Sequence, residues 1–157
     1  MRLLSLAVLA LAVTSAVPAS AQDSTSSTME IMRDKVKADK KLLVAENMGL
    51  TETQAKAFWP IYDSYQKDLA QINERLKKTI LAYAEAYNQG PVPDATAKKL
   101  MDEALSVEEA EVKLKRTYQA KLSPVLPAAK VARYLQIETK IRALVRYELA
   151  DAIPLVQ

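Results

Sequence analysis

The sequence predicts an all-α protein of four helices, two of them long enough to form an antiparallel hairpin. Three observations point there. The chain of 157 residues has only two glycines and no Asn-Gly or Asp-Gly pair, which removes the usual signals for tight β-hairpins. Ala, Leu, Lys, Glu and Gln, all good helix formers, are abundant. Between residues 58 and 87, large apolar side chains recur at steps of three and four, close to a heptad seam.

The first 21 residues read as a secretory signal peptide. Arg2 is a short positive start, residues 3–17 are an apolar run broken only by Ser5, Thr14 and Ser15, and Ala19-Ser20-Ala21 is a small-x-small cleavage site. The run is short for a membrane span, which takes about 20 residues. Cleavage is expected after Ala21, releasing a chain into the periplasm with no stable membrane insertion. Residues 22–28, "QDSTSST", form a polar leader, and residues 29–157 form one helical domain.

Helix 1 is expected over residues 29–48, with Met29, Met32, Val36 and Leu43 on one apolar stripe and Ile31, Ala38, Leu42 and Ala45 on the other. Arg33, Lys35, Lys37, Lys40 and Lys41 lie between them. That basic stretch is either a solvated face or a surface that meets a partner. Gly49 suits the left-handed residue that ends a helix, and Leu50 can fold back on Val44 or Ala45.

Thr51-Glu52-Thr53-Gln54 reads as a capping box. Thr51 accepts from the backbone of Gln54, and the Gln54 side chain reaches back to Thr51. Helix 2 then runs over residues 52–88. Its seam is Phe58, Tyr62, Tyr65, Leu69, Ile72, Leu76, Ile80, Tyr83 and Tyr87. Pro60 lies in its third turn and removes one intrahelical bond, which either wraps the helix round a core or shapes a concave surface. Trp59 lies roughly 100° off the seam, placed either to pack under helix 1 or to anchor a partner.

Residues 88–94, "NQGPVPD", make a turn in which Asp94 can cap helix 3. Helix 3 is expected over 95–121, with Ala97, Leu100, Ala104, Val107, Leu114, Tyr118 and Leu122 along its stripe. "SPVLP", residues 123–127, breaks the run, with Ser123 available as a cap and Pro124 or Pro127 at a first helical position. Helix 4 follows over 128–151, its apolar arc holding Val131, Tyr134, Leu135, Ile141, Leu144, Val145 and Leu149. Another arc of helix 4 mixes Lys130, Arg133 and Lys140 with Ile137 and Leu144.

Glu111 and Glu138 fall inside apolar arcs. A buried carboxylate needs cations or donors, and Arg116, Arg133, Arg142, Arg146 and several tyrosines can supply them. The alternative, a carboxylate pair for general acid–base chemistry, has no pocket motif beside it. The chain has no His and no Cys, which excludes Ser-His and Cys-His nucleophile arrangements, ordinary zinc sites and disulfides. No Gly-rich phosphate loop or calcium-loop spacing occurs. Losing Arg2 lowers the net charge from +3 to about +2, too even a balance for nucleic acid as the main partner. No cofactor, no metal and no enzymatic activity are expected.

The five residues Leu50-Thr51-Glu52-Thr53-Gln54 match the LTxxQ motif of the Spy/CpxP family of periplasmic proteins, which this chain resembles in layout over most of its mature length. Leu122-Ser123-Pro124-Val125-Leu126 stands where a second such motif occurs in the family, without the Gln. Phe58-Trp59-Pro60-x-Tyr62 looks like a variant that follows the motif in some relatives. The resemblance implies a cradle-shaped helical homodimer that binds unfolded envelope proteins without ATP under stress. The alternative it implies is a regulatory partner of an inner-membrane stress sensor or anti-sigma system without chaperone activity. A client or partner surface is then expected at Trp59, Arg33, Lys37, Lys40, Lys130, Arg133, Ile137 and Lys140. Some relatives bind metal largely through His, which this chain lacks.

Overall fold

A computed structural model describes residues 39–157. The expected signal peptide, the expected leader, the first part of the expected helix 1, and Arg33 and Lys37 lie outside the described residues. The chain divides into two compact units, residues 1–41 and 42–157. Of the first, only residues 39–41 are described; they are helical, with Lys40 half-buried and its two neighbours exposed. All that follows concerns the second unit.

Helix α1 is described over residues 39–48. Three further helices follow, α2 (Glu52–Asn88), α3 (Asp94–Leu122) and α4 (Ala128–Ala152). Among the described residues there is no strand. Helices α2 and α3 pack as an antiparallel hairpin. Tyr65 meets Tyr118 ring on ring at 5.2 Å, while ten residues further along α2, Arg75 bonds Glu103 and Ser106, which lie earlier on α3. Helix α4 returns along α3 in the opposite sense, with Lys115 donating to Thr139 and Arg142 to Glu111.

Each boundary has a local cause. Gly49, at φ +53°, ends α1 in the left-handed conformation that glycine adopts without a Cβ penalty. The capping box then starts α2, Gln54 N donating to Thr51 Oγ1 at 3.3 Å and Thr51 N donating to Gln54 Oε1 at 3.2 Å. Helix α2 continues through Pro60, whose carbonyl accepts from the Ser64 hydroxyl at 2.9 Å. At the next turn the expectation shifts by one residue. Pro93 is the N-cap of α3 and makes no side-chain bond, so Asp94 is the first helical residue rather than the cap, where its charge still suits the helix dipole.

Ser123 does not cap α4. It closes α3, its hydroxyl donating back to the Gln119 carbonyl at 2.8 Å. The reason is Leu126, which must reach the core: it is 5 % exposed, and the chain turns through Val125 and Leu126 onto the Leu122 carbonyl before α4 begins. Helix α4 starts after Pro127 without a side-chain cap.

The core gathers at one end of the hairpin. Val44 and Met48 from α1, Phe58, Tyr62 and Tyr65 from α2, Tyr118 and Leu122 from α3, and Val131 and Tyr134 from α4 are buried together. Phe58, Tyr65 and Tyr134 meet edge to face at 5.1 and 5.7 Å, the geometry aromatic rings prefer. Of the expected α1 stripes only Leu42, Leu43 and Ala45 are described, and none of them is buried. Leu42 and Leu43 are exposed, and Val44 with Met48, one turn apart on a single face, are fully enclosed. Towards the far turn, the same seam continues as Leu76, Ile80, Tyr83 and Tyr87, all only half-buried. The hydrophobic repeat is regular, but its burial is not.

Candidate functional site

Three arrangements place the chemistry-bearing side chains: a corner, a buried charge cluster and an apolar groove that leads from that cluster.

At the corner, Lys130 donates to the Gly49 carbonyl at 2.5 Å and to Gln54 Oε1 at 2.8 Å. Arg133 reaches the Asn47 carbonyl at 3.4 Å. Both were expected on a client surface. Arg133 is exposed, and both set their cationic ends against the carbonyls at the end of α1, where the helix dipole favours positive charge. Gln54 thus serves two partners, the Thr51 cap and Lys130 of α4. Ile137 is half-buried and packs on the core. Trp59 is also half-buried, set edge-on against Phe58 at 5.0 Å and Tyr62 at 5.3 Å. Of the expected surface residues on α4, Lys140 stands exposed.

The buried charge cluster centres on Glu111, 5 % exposed. Its two oxygens accept from Arg142 Nη2 and from Arg146 Nη2, the latter at 2.9 Å. Arg142 is nearly enclosed, and its Nε has no partner. Burial, together with the neighbouring Arg146 charge, lowers the Arg142 pKa from its ordinary value. Arg146 is half-exposed and has a looser contact with Glu108 at 3.5 Å. Glu138, the second buried carboxylate, accepts from Gln66 Nε2 at 2.8 Å among Tyr62, Tyr65 and Tyr134. Burial first, and the Glu138 charge second, push the Tyr62 pKa up to about 12 and raise those of Tyr65 and Tyr134 further. Burial and a 2.6 Å bond to Asp68 raise Tyr118 to about 12. These phenols stay protonated; Tyr118 donates to Asp68, and the Tyr134 hydroxyl accepts from Gln66 Nε2 at 3.4 Å.

Glu111, Glu138, Arg142 and Lys115 also line a space of about 10 Å³, the scale of a single water molecule. It is too small to admit a substrate between the two carboxylates.

Beyond the cluster lies a groove of about 550 Å³ between α2, α3 and α4. Its walls are Leu76, Ile80 and Tyr83 from α2, Leu100 and Ala104 from α3, and Leu149 from α4, with Glu108, Glu111, Arg142 and Arg146 at its inner end. The C-terminal residues form its outer rim. The Tyr83 hydroxyl donates to the Pro154 carbonyl at 2.9 Å, and Gln157 donates to the Tyr87 hydroxyl at 2.8 Å. Leu155, held there, is 89 % exposed. The seam residues were legible in the sequence as a hairpin core. That they line an opening was not, because the same apolar letters serve either purpose.

Outside the groove, large apolar side chains stand in water. Leu144 and Tyr147, 69 % and 75 % exposed, lie on the same side of α4 as Lys140. On α3, Met101 at the groove's edge, Leu105 and Val112 make a further exposed stripe. Leu144 and Val145 were expected in the apolar arc of α4, and Leu144 also beside Lys140 on its mixed arc; from Ala143 to Glu148 every residue of α4 is exposed. Tyr147 and the α3 stripe escaped sequence reasoning, since apolar letters carry no sign of which face stays uncovered.

Among the described residues no three carboxylates gather as they would round a metal ion, and no helix is long and apolar enough to cross a membrane. In comparisons with known proteins, no family model matches the chain, and no curated protein or solved structure is significantly similar to it.

Proposed function

We propose that the protein is an exported, ATP-independent binder of unfolded envelope proteins, of the Spy/CpxP type that its LTxxQ motif resembles, acting in the periplasm as a homodimer after cleavage behind Ala21. The observation that carries this reading is the uncovered outer face of α4, where Leu144 and Tyr147 stand exposed on the same side as Lys140. Contiguous exposed apolar surface marks interaction sites in proteins of this size, and mixed apolar and basic surface suits transient binding of many partners. The α3 stripe of Met101, Leu105 and Val112 adds a second exposed apolar run.

The test is suppression of aggregation of a reduced, unfolding client by the purified protein. Equimolar protein is expected to slow light scattering, more so at low salt, and the double variant Leu144→Ser/Tyr147→Ser to lose most of the effect with its helicity unchanged. Aggregation that proceeds unaltered at both low and physiological salt overturns the proposal. The alternative, a regulatory partner of a membrane stress sensor, leaned on Trp59 as an anchor. With Trp59 half-buried against Phe58 and Tyr62, no observation favours it over client binding.

A further inference from the structure

We propose that the groove between α2, α3 and α4 binds a single-chain fatty acid, its carboxylate on Arg146 at the inner end and its acyl chain along the apolar walls. The inference does not depend on client binding, whose carrying residues Leu144 and Tyr147 stand outside the groove lining.

The shape argues first. A concave site of about 550 Å³, apolar along its length with a few polar groups at one end, has the size and lining of small-molecule pockets between helices. Its wall along α4 runs from Arg142 to Ile153, roughly 16 Å at the helical rise. That is long and narrow enough for one acyl chain and too small for a two-chain lipid.

The polar end selects the head group. Glu111 is enclosed, and both its oxygens are taken. The accessible cation at that end is the half-exposed Arg146, bonded to Glu111 through one Nη and only loosely, at 3.5 Å, to the exposed Glu108 through the other, while the Nε of Arg142 is enclosed without a partner. A guanidinium offers five N–H donors and no acceptor, and a carboxylate is the acceptor-only group that complements it. An ammonium head has only donors to offer the guanidinium, and a neutral amide carbonyl lacks the charge that strengthens the contact. The outer end completes the fit. Leu155, beside the hydrogen-bonded Pro154 carbonyl, is an apolar side chain standing in water. It would be covered by the distal methylenes of a bound chain.

The probe is sodium palmitate below its micelle concentration, titrated into the purified protein by calorimetry, with the leucine methyl signals followed by NMR. Saturable one-to-one binding is expected, with shifts at Leu100 and Leu149. Palmitate methyl ester should bind about tenfold more weakly, as should palmitate to Arg146→Ala, the loss expected of a charge-assisted contact. Ala104→Phe should close the groove and abolish binding while far-ultraviolet dichroism stays unchanged. If that variant does not fold, the ester comparison and the methyl shifts decide alone. Absence of saturable binding overturns the proposal. So does equal affinity for acid and ester, or undiminished binding by a folded Ala104→Phe. Methyl shifts that depend on protein concentration but not on palmitate would give the groove to a second copy of the chain and equally overturn it.

Discussion

Glu111 shows what a single buried charge demands of its surroundings. It is 5 % exposed and shared by two arginines, one nearly enclosed and one half in water. Removing it leaves Arg142 buried without its counter-charge, the costly half of a broken ion pair. Glu111→Ala is therefore expected to lose about 3 kcal/mol or more in denaturant unfolding. Replacing both partners, as Glu111→Leu with Arg142→Met, should recover most of that loss, since an apolar pair of similar volume avoids the desolvation cost. Arg146→Ala, at the exposed side of the cluster, should cost under about 1 kcal/mol. If the double replacement is as damaging as the single one, the cluster does more than neutralise itself. Sequence position alone marked Glu111 as a buried carboxylate in need of cations, and Arg142 and Arg146 were among the candidates. Which of four arginines would arrive was a matter of register between α3 and α4.

The turn between α1 and α2 is a small element with several fasteners. Gly49 sits at φ +53° with no atom within 4 Å of where a Cβ would stand, so a substitution there meets no clash and pays only the backbone penalty. Gly49→Ala is expected to cost about 1–2 kcal/mol for its left-handed conformation. Gly49→Asn should cost less, because Asn tolerates that region. Thr51→Ala, which removes one half of the capping box, should cost about 1 kcal/mol. Thermal melting followed by circular dichroism checks all three. The box and the glycine were readable from the letters because their partners are within four residues. Lys130 and Arg133 were not, because their acceptors are main-chain carbonyls 81 and 86 residues away. Seen only as cations on a helix, they looked like partner surface. Lys130→Ala is expected to loosen the corner, read as faster amide exchange at residues 48–51 with little change in α3.

At the scale of the whole unit, stability is tied to four buried phenols. Tyr62 and Tyr118 have pKa values near 12, and Tyr65 and Tyr134 lie higher still, against an ordinary value of 10.0. Each binds its proton more tightly in the folded state. The stability they lend is complete below pH 10 and is lost as pH rises through 12, because the unfolded chain can release protons that the folded one retains. Each phenol contributes a slope of about 1.4 kcal/mol per pH unit in that window, enough between four of them to exhaust the few kcal/mol that separate folded from unfolded. Cooperative alkaline unfolding between pH 10 and 12 is expected, followed together by helix dichroism and tyrosinate absorbance. In the triple variant Tyr83→Phe/Tyr87→Phe/Tyr147→Phe, tyrosinate absorbance rising near pH 10 with helicity intact would show that the four core rings are not shielded. Phe58, Tyr62, Tyr65, Tyr118 and Tyr134 all lay on positions expected to be apolar, so the aromatic core itself was legible in the sequence.

What the sequence by itself determined is the sequence of helices and where they stop. The seam of α2, the glycine and capping box at residue 49 onwards, and the proline-rich turns act through neighbours a few residues away, and local rules suffice to read them. The tertiary structure decided which parts of that regular apolar pattern are covered. Phe58, Tyr62 and Tyr65 are sealed by α1, α3 and the start of α4, while Leu76, Ile80 and Tyr83 border a groove and Leu144 and Tyr147 face water. Burial is a property of what packs across from a residue, set by how far α4 and the C-terminal residues extend over the hairpin, and identical leucines and tyrosines carry no mark of it.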